Sequence, residues 1–187
     1  MNFIKQNLHR ILRVLVNQVG VMIFALIITL TAGAMAEEQQ AAMTLVASIF
    51  SIVFYLFLVF YCMREEGSRD SVRIEGGRLA YDPIYGLKVG AIAILPNYIF
   101  VLLMLIGLLI GIETGGAGVW SIGYFVTSLI QSMYNGLLKS IFSAAAFTTS
   151  FTAATVAYAI TPLFAPLAAF GGYIYGVKHP TADKKRR

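Results

Sequence analysis

Cysteine, histidine and charge are all scarce in this chain, and each shortage removes a class of function. Cys62 stands alone among 187 residues, so neither an internal disulfide nor a cysteine-based metal site can form. His9 and His179 lie near opposite ends beside basic residues, and they read as interfacial side chains, because a metal site needs several converging ligands. Charged residues make up 12% of the chain, against about 25% in average soluble domains, while 58% are hydrophobic and mean hydropathy is +0.77. That much polar surface does not cover a soluble domain of this length. The composition excludes a soluble enzyme, a nucleic-acid-binding module and a disordered chain. It leaves an integral membrane protein.

Long apolar runs are abundant. A helix crosses the hydrocarbon layer with about 20 apolar residues, and Val14–Ala36, Met43–Met63 and Val89–Ile112 each supply such a run. Only Glu37-Glu38-Gln39-Gln40 separates the first two, which predicts a tight antiparallel hairpin. From Gly118 to Val177 the sole charge is Lys139, and Thr152–Val177 is the best window for a fourth span. Residues 119–140 mix Trp120, Tyr124 and Phe125 with Ser121, Thr127, Gln131 and Asn135, and read as a helix lying in the interface or leaning into the bundle. The expected fold is all-α: a polytopic transmembrane helical bundle in one domain, 1–187, with spans at 14–36, 43–63, 89–112 and 152–177, a loop at 64–88 and a tail at 178–187.

Basic residues set the expected orientation. Of the 14 Lys and Arg residues, all but Lys139 fall before the first span, between the second and third, or after the last. By the positive-inside rule both termini and the 64–88 loop are cytoplasmic, in a bacterial plasma membrane, or in the endoplasmic reticulum membrane if the source is eukaryotic. A fifth span at 119–140 would put the tail outside. The run Val19–Leu30 followed by Ala34-Met35-Ala36 also matches a cleavable signal sequence, and either reading leaves the later spans oriented alike.

The first residues are amphipathic, with Ile4, Leu8, Ile11 and Leu15 at helical spacing. Arg10 and Arg13, with Lys184, Lys185, Arg186 and Arg187 at the other end, are the expected contacts to anionic lipid headgroups. In the 64–88 loop, Glu65 precedes Arg69 by four residues and Asp70 precedes Arg73 by three, which predicts a solvated helical extension. Gly76-Gly77 ends it and Asp82-Pro83 makes a turn.

Lipid removes the hydrophobic drive between helices, so small residues decide where they meet. GxxxG pairs occur at Gly86/Gly90, Gly107/Gly111 and Gly172/Gly176. At about 100° per residue, Gly86, Gly90, Ala93, Asn97, Met104, Gly107 and Gly111 share one face over about seven turns, a single smooth packing stripe. Pro96 removes a helical hydrogen bond beside Asn97, and Pro162 and Pro166 interrupt the last span near Thr161. These five residues are candidate cavity-lining positions, because broken helices line substrate sites in transporters.

No Asp, Glu, His, Lys or Arg falls within the four windows, which argues against ion coupling. No Walker-type phosphate loop occurs, and Gly67-Ser68 lacks the flanking pattern of a nucleophile elbow. No catalytic residue, cofactor or metal is expected. Gly77-Arg78-Leu79-Ala80-Tyr81-Asp82-Pro83-Ile84-Tyr85-Gly86-Leu87-Lys88-Val89-Gly90, then Leu95-Pro96-Asn97, and Gly171-Gly172-Tyr173-Ile174-Tyr175-Gly176-Val177-Lys178 resemble small bacterial integral membrane proteins of uncharacterised function. The resemblance implies a bacterial plasma membrane but supplies no activity. The expected function is a non-enzymatic helix-packing partner or accessory subunit, bound to the bilayer and to itself or another membrane protein. The alternative is a passive channel or facilitator for a small neutral solute.

Overall fold

The computed structural model describes residues 3–33, 37–142 and 150–180. It is an all-α bundle with no strand among the described residues. In order come α1 (Phe3–Gly33), α2 (Glu37–Glu75), α3 (Tyr85–Ala93), α4 (Leu95–Ile110), a 3₁₀ turn (Ile112–Thr114), α5 (Gly116–Ile130), α6 (Ser132–Ile141), α7 (Phe151–Ile160), a second 3₁₀ turn (Thr161–Leu163) and α8 (Phe164–Lys178). Three helical stretches, Phe3–Thr31, Gln40–Glu75 and Phe151–Lys178, are long and apolar enough to cross a membrane, and α3 with α4 makes a fourth if the broken pair is one span. Helix satisfies every backbone group internally, which an apolar surrounding demands. The Ala34-Met35-Ala36 motif and the Lys184–Arg187 tail lie outside the described residues.

Several element ends have visible causes. The amphipathic start and the first apolar run form one continuous helix, α1. At 39 residues α2 is about 58 Å long, far more than the ~30 Å hydrocarbon layer. It stops at Gly77, where φ is +66° and the Arg78 and Gly77 amides donate to the Arg73 and Ile74 carbonyls, the bonds of a Schellman cap. The Asp82 carboxylate accepts from the Ile84 amide and pairs with Lys88 at 2.7 Å, which turns the chain into α3. Pro96 has no N–H to offer Ile92, and the helix breaks just before it, at Ile94. The expected single third span is therefore two helices.

The chain groups into two compact units, each built from distant segments. Unit one takes Asn17 and the residues before it, Tyr55–Ile94, and the chain from Leu163 onward. Its spine is α8. A Cβ on Gly86 would sit 2.5 Å from the Ala169 carbonyl oxygen, and one on Gly90 2.7 Å from Pro166 Cα, so α3 runs antiparallel to α8 at backbone contact. A Cβ on Gly172 would lie 2.3 Å from the Phe60 carbonyl oxygen and one on Gly176 2.0 Å from that of Arg64. Residue numbers rise together along that contact, so α2 and α8 are parallel, and the charged end of α2 lies beside the end of α8.

Unit two comprises Gln18–Phe54 and Leu95–Pro162. Here α4 and α5 form an antiparallel hairpin: Gly107 meets Gly116 and Trp120, while Gly123 meets Met104 and Phe100. Gly136 on α6 packs onto Thr44 and Ser48 of α2 and donates its amide to Ser48 Oγ at 2.9 Å. The 119–140 segment is thus an inward-packed pair of helices, with Trp120, Thr127, Gln131, Ser132 and Met133 all buried. Of the polar residues expected to lie in the interface or lean into the bundle, Thr127 and Gln131 face the interior, while Ser121 is exposed.

Candidate functional site: an ion-paired cluster and a buried polar ladder

The charged cluster of unit one is assembled from four helices. Glu66 and Asp70 are one turn apart on α2, and Arg10 and Arg13 one turn apart on α1, so two acidic groups meet two basic ones. Arg10 Nη1 and Nη2 donate to the two Asp70 carboxylate oxygens at 2.7 and 2.9 Å, and Arg10 Nε lies 2.9 Å from Glu66 Oε2. Arg13 donates to Glu65 at 2.6 Å and reaches Glu66 at 3.5 Å. Tyr85 of α3 accepts from Arg10 Nη1 at 2.7 Å and donates to Asn7 Oδ1. Tyr173 of α8 donates to Asp70 Oδ2 at 3.4 Å, and its ring lies 4.8 Å from that of Tyr85.

This arrangement holds helices together. Asp70 and Glu66 are almost fully enclosed, and a charge out of water is tolerable only when paired and hydrogen-bonded. Both carboxylates are committed to guanidinium groups. Arg10, expected at lipid headgroups, is turned inward onto Asp70, and Arg13 is spent on Glu65 and Glu66. The basic amphipathic start of the chain suggested lipid contact for both; in the structure both side chains reach carboxylates of α2. The extension after residue 63 is helical and carries the exposed Glu65–Arg69 pair at 2.7 Å, yet it is solvated on one side only.

In unit two the polar side chains form a ladder among themselves. Gln18 Nε2 donates to Asn97 Oδ1 at 2.7 Å, and both residues are buried. Thr161 donates to Gln131 Oε1 at 2.7 Å, while Gln131 Nε2 donates to the Tyr158 carbonyl at 3.3 Å. This tether accompanies the break between α5 and α6, where Gln131 has φ −103° and ψ 28°. Trp120 Nε1 donates to Thr155 Oγ1 at 3.0 Å, and the Tyr158 hydroxyl donates to Asn135 Oδ1 at 2.7 Å. Thr127 Oγ1, Tyr134 OH and Ser51 Oγ are enclosed with no partner among the described residues.

The residues expected to pack or to line a cavity are placed as follows. Gly86, Gly90 and the buried Ala93 face the interior of unit one; Gly172 and Gly176 meet α2 there, and Pro166 underlies Gly90. Asn97 and Gly107 belong to unit two, so the seven-turn stripe is divided at Ile94. Gly111 is not in a helix: with φ +93° it starts the turn into α5, a conformation that favours glycine. Thr161 and Pro162 are buried in their 3₁₀ turn, whereas Pro96 is exposed. Among the described residues no three His, Cys, Asp or Glu side chains converge as metal ligands.

Sequence reasoning missed Asp70, Glu66, Tyr85 and Tyr173 as a unit, and Gln131 and Trp120 as interior donors. One signal was available: carboxylates at i and i+4 just past an apolar run, with arginines at i and i+3 just before another. Compared with known protein families, characterised proteins and solved structures, the chain matches none.

Proposed function

We propose that the chain is a multi-pass protein of a bacterial plasma membrane with both termini cytoplasmic, acting without catalysis as a helix-packing accessory subunit. The observation that carries this reading is a stripe on α2. Met43, Val46, Phe50 and Val53 recur at three- and four-residue intervals, the spacing of a helix–helix seam, and Val46, Phe50 and Val53 are 62%, 56% and 61% exposed. The glycines of the three GxxxG pairs, by contrast, meet neighbours within the chain, so a partner meets the bulky stripe. The parallel run of α2 and α8, which brings Arg64–Glu75 and Lys178 to one end of unit one, supports a shared cytoplasmic side.

A photo-crosslinking side chain placed at Val46 or Val53 in native membranes tests this. A discrete protein adduct at either site is expected, with none at Leu109 of α4. Adducts of lipid size alone at all three positions would contradict it.

The enclosed, unpartnered hydroxyls of Thr127 and Tyr134 favour one second reading, a passive facilitator for a small neutral solute. Proteoliposome flux of glycerol or urea would have to appear and to change in Asn97→Leu; flux that is absent, or equal in both proteins, removes that reading.

A further inference from the structure

Among the described arginines, Arg10, Arg13, Arg69 and Arg73 each lie within 4 Å of a carboxylate, and Arg78 is exposed in the loop. Arg64 differs from all of them. It is half-buried in unit one, no carboxylate pairs with it among the described residues, and its Nε is enclosed without an acceptor. Its guanidinium carbon lies 5.3 Å from the Tyr175 ring centroid and 6.0 Å from that of Tyr61. Tyr175 is itself braced by Phe60 at 5.9 Å and His179 at 4.7 Å. Gly176 packs against the Arg64 carbonyl and sets the α2–α8 spacing at this level.

Aromatic rings hold a guanidinium by its face, leaving the in-plane N–H donors to bind an anion. A half-buried cation with unspent donors lacks a counter-charge, and an unmet donor out of water is costly. Arg64 directly follows the apolar run Met43–Met63, and tyrosines gather at headgroup level. At that depth the available planar-recognisable anion is a phosphate. The exposed Lys178 adds a second positive charge at the same helix end and favours a lipid of net negative charge.

We propose that Arg64, Tyr61 and Tyr175 form a site for the phosphate of an anionic phospholipid. The site rests on the membrane location proposed above. Native mass spectrometry of the full chain in detergent, titrated with phosphatidylglycerol, diacylglycerol or inorganic phosphate, tests it. The wild-type chain should retain one phosphatidylglycerol at concentrations where diacylglycerol is lost. Arg64→Gln should weaken that binding at least about fivefold, with Arg64→Lys falling between. Tyr61→Leu/Tyr175→Leu keeps the charge and should also weaken binding; it decides the matter if Arg64→Gln does not fold. Unchanged phosphatidylglycerol affinity in these variants would overturn the site, and inorganic phosphate displacing the lipid at equal concentration would reassign it to a free anion. A wild-type chain that retains no lipid and stays dispersed without detergent would instead overturn the membrane location.

Discussion

Asp70→Asn is the perturbation the structure defines best. Asp70 accepts both terminal nitrogens of Arg10 and has a side chain 1% exposed, with that of Arg10 at 16%. Removing one member of a buried pair costs about 3–5 kcal/mol, because the other charge stays enclosed. Glu66, 2.9 Å from Arg10 Nε, keeps part of the compensation, so the loss should fall near or somewhat below the bottom of that range, about 2–3 kcal/mol. Arg10→Met should cost at least as much, since it leaves Asp70 with Arg73 at 3.7 Å as its remaining cation. The double variant removes both charges and should cost little more than either single one. Reversible unfolding in mixed micelles, followed by circular dichroism, gives the four free energies of the cycle. Additivity within about 0.5 kcal/mol would refute the reasoning, because it would mean that the two groups do not share an enclosed interaction.

Three further outcomes follow from packing and hydrogen bonding. Gly176→Ala should destabilise by about 1–3 kcal/mol, since its Cβ would sit 2.0 Å from the Arg64 carbonyl oxygen, whereas Gly20→Ala, with nothing within 4 Å, should stabilise by about 0.5–1 kcal/mol; the same unfolding assay reads both signs. Tyr134→Phe removes an enclosed hydroxyl that has no partner among the described residues and should be neutral or stabilising in thermal unfolding, despite loss of a polar group. Asn97→Leu should cost between about 0.6 and 2 kcal/mol by stranding Gln18, and Gln18→Leu/Asn97→Leu should recover part of that loss, as read by unfolding midpoints.

The helical class and the apolar runs were legible because hydropathy acts over whole segments. The Gly76-Gly77 stop and the Asp82-Pro83 turn were legible because both depend on local backbone chemistry. The long stripe was not what its periodicity implied, for Pro96 divides the helix and sends Gly86 and Gly107 into different units. Gly111 shows the same limit: a spacing that fits a seam does not reveal a positive φ. The interior role of Thr127, Gln131 and Asn135 was hidden because polarity alone does not tell whether a side chain meets water or another helix. Asp70 was read as solvated from its neighbour Arg73, while its dominant partner, Arg10, is sixty residues away in sequence.

The orientation of the spans is the claim on which the rest depends, and cysteine labelling measures it directly. In a Cys62→Ala background, single cysteines at Arg78, Lys178 and Glu113 would be exposed to a membrane-impermeant maleimide on intact bacterial cells. The account predicts that Glu113→Cys reacts at once, while Arg78→Cys and Lys178→Cys both react only after the cells are permeabilised. Labelling of Lys178→Cys on intact cells, with Arg78→Cys still protected, would contradict it.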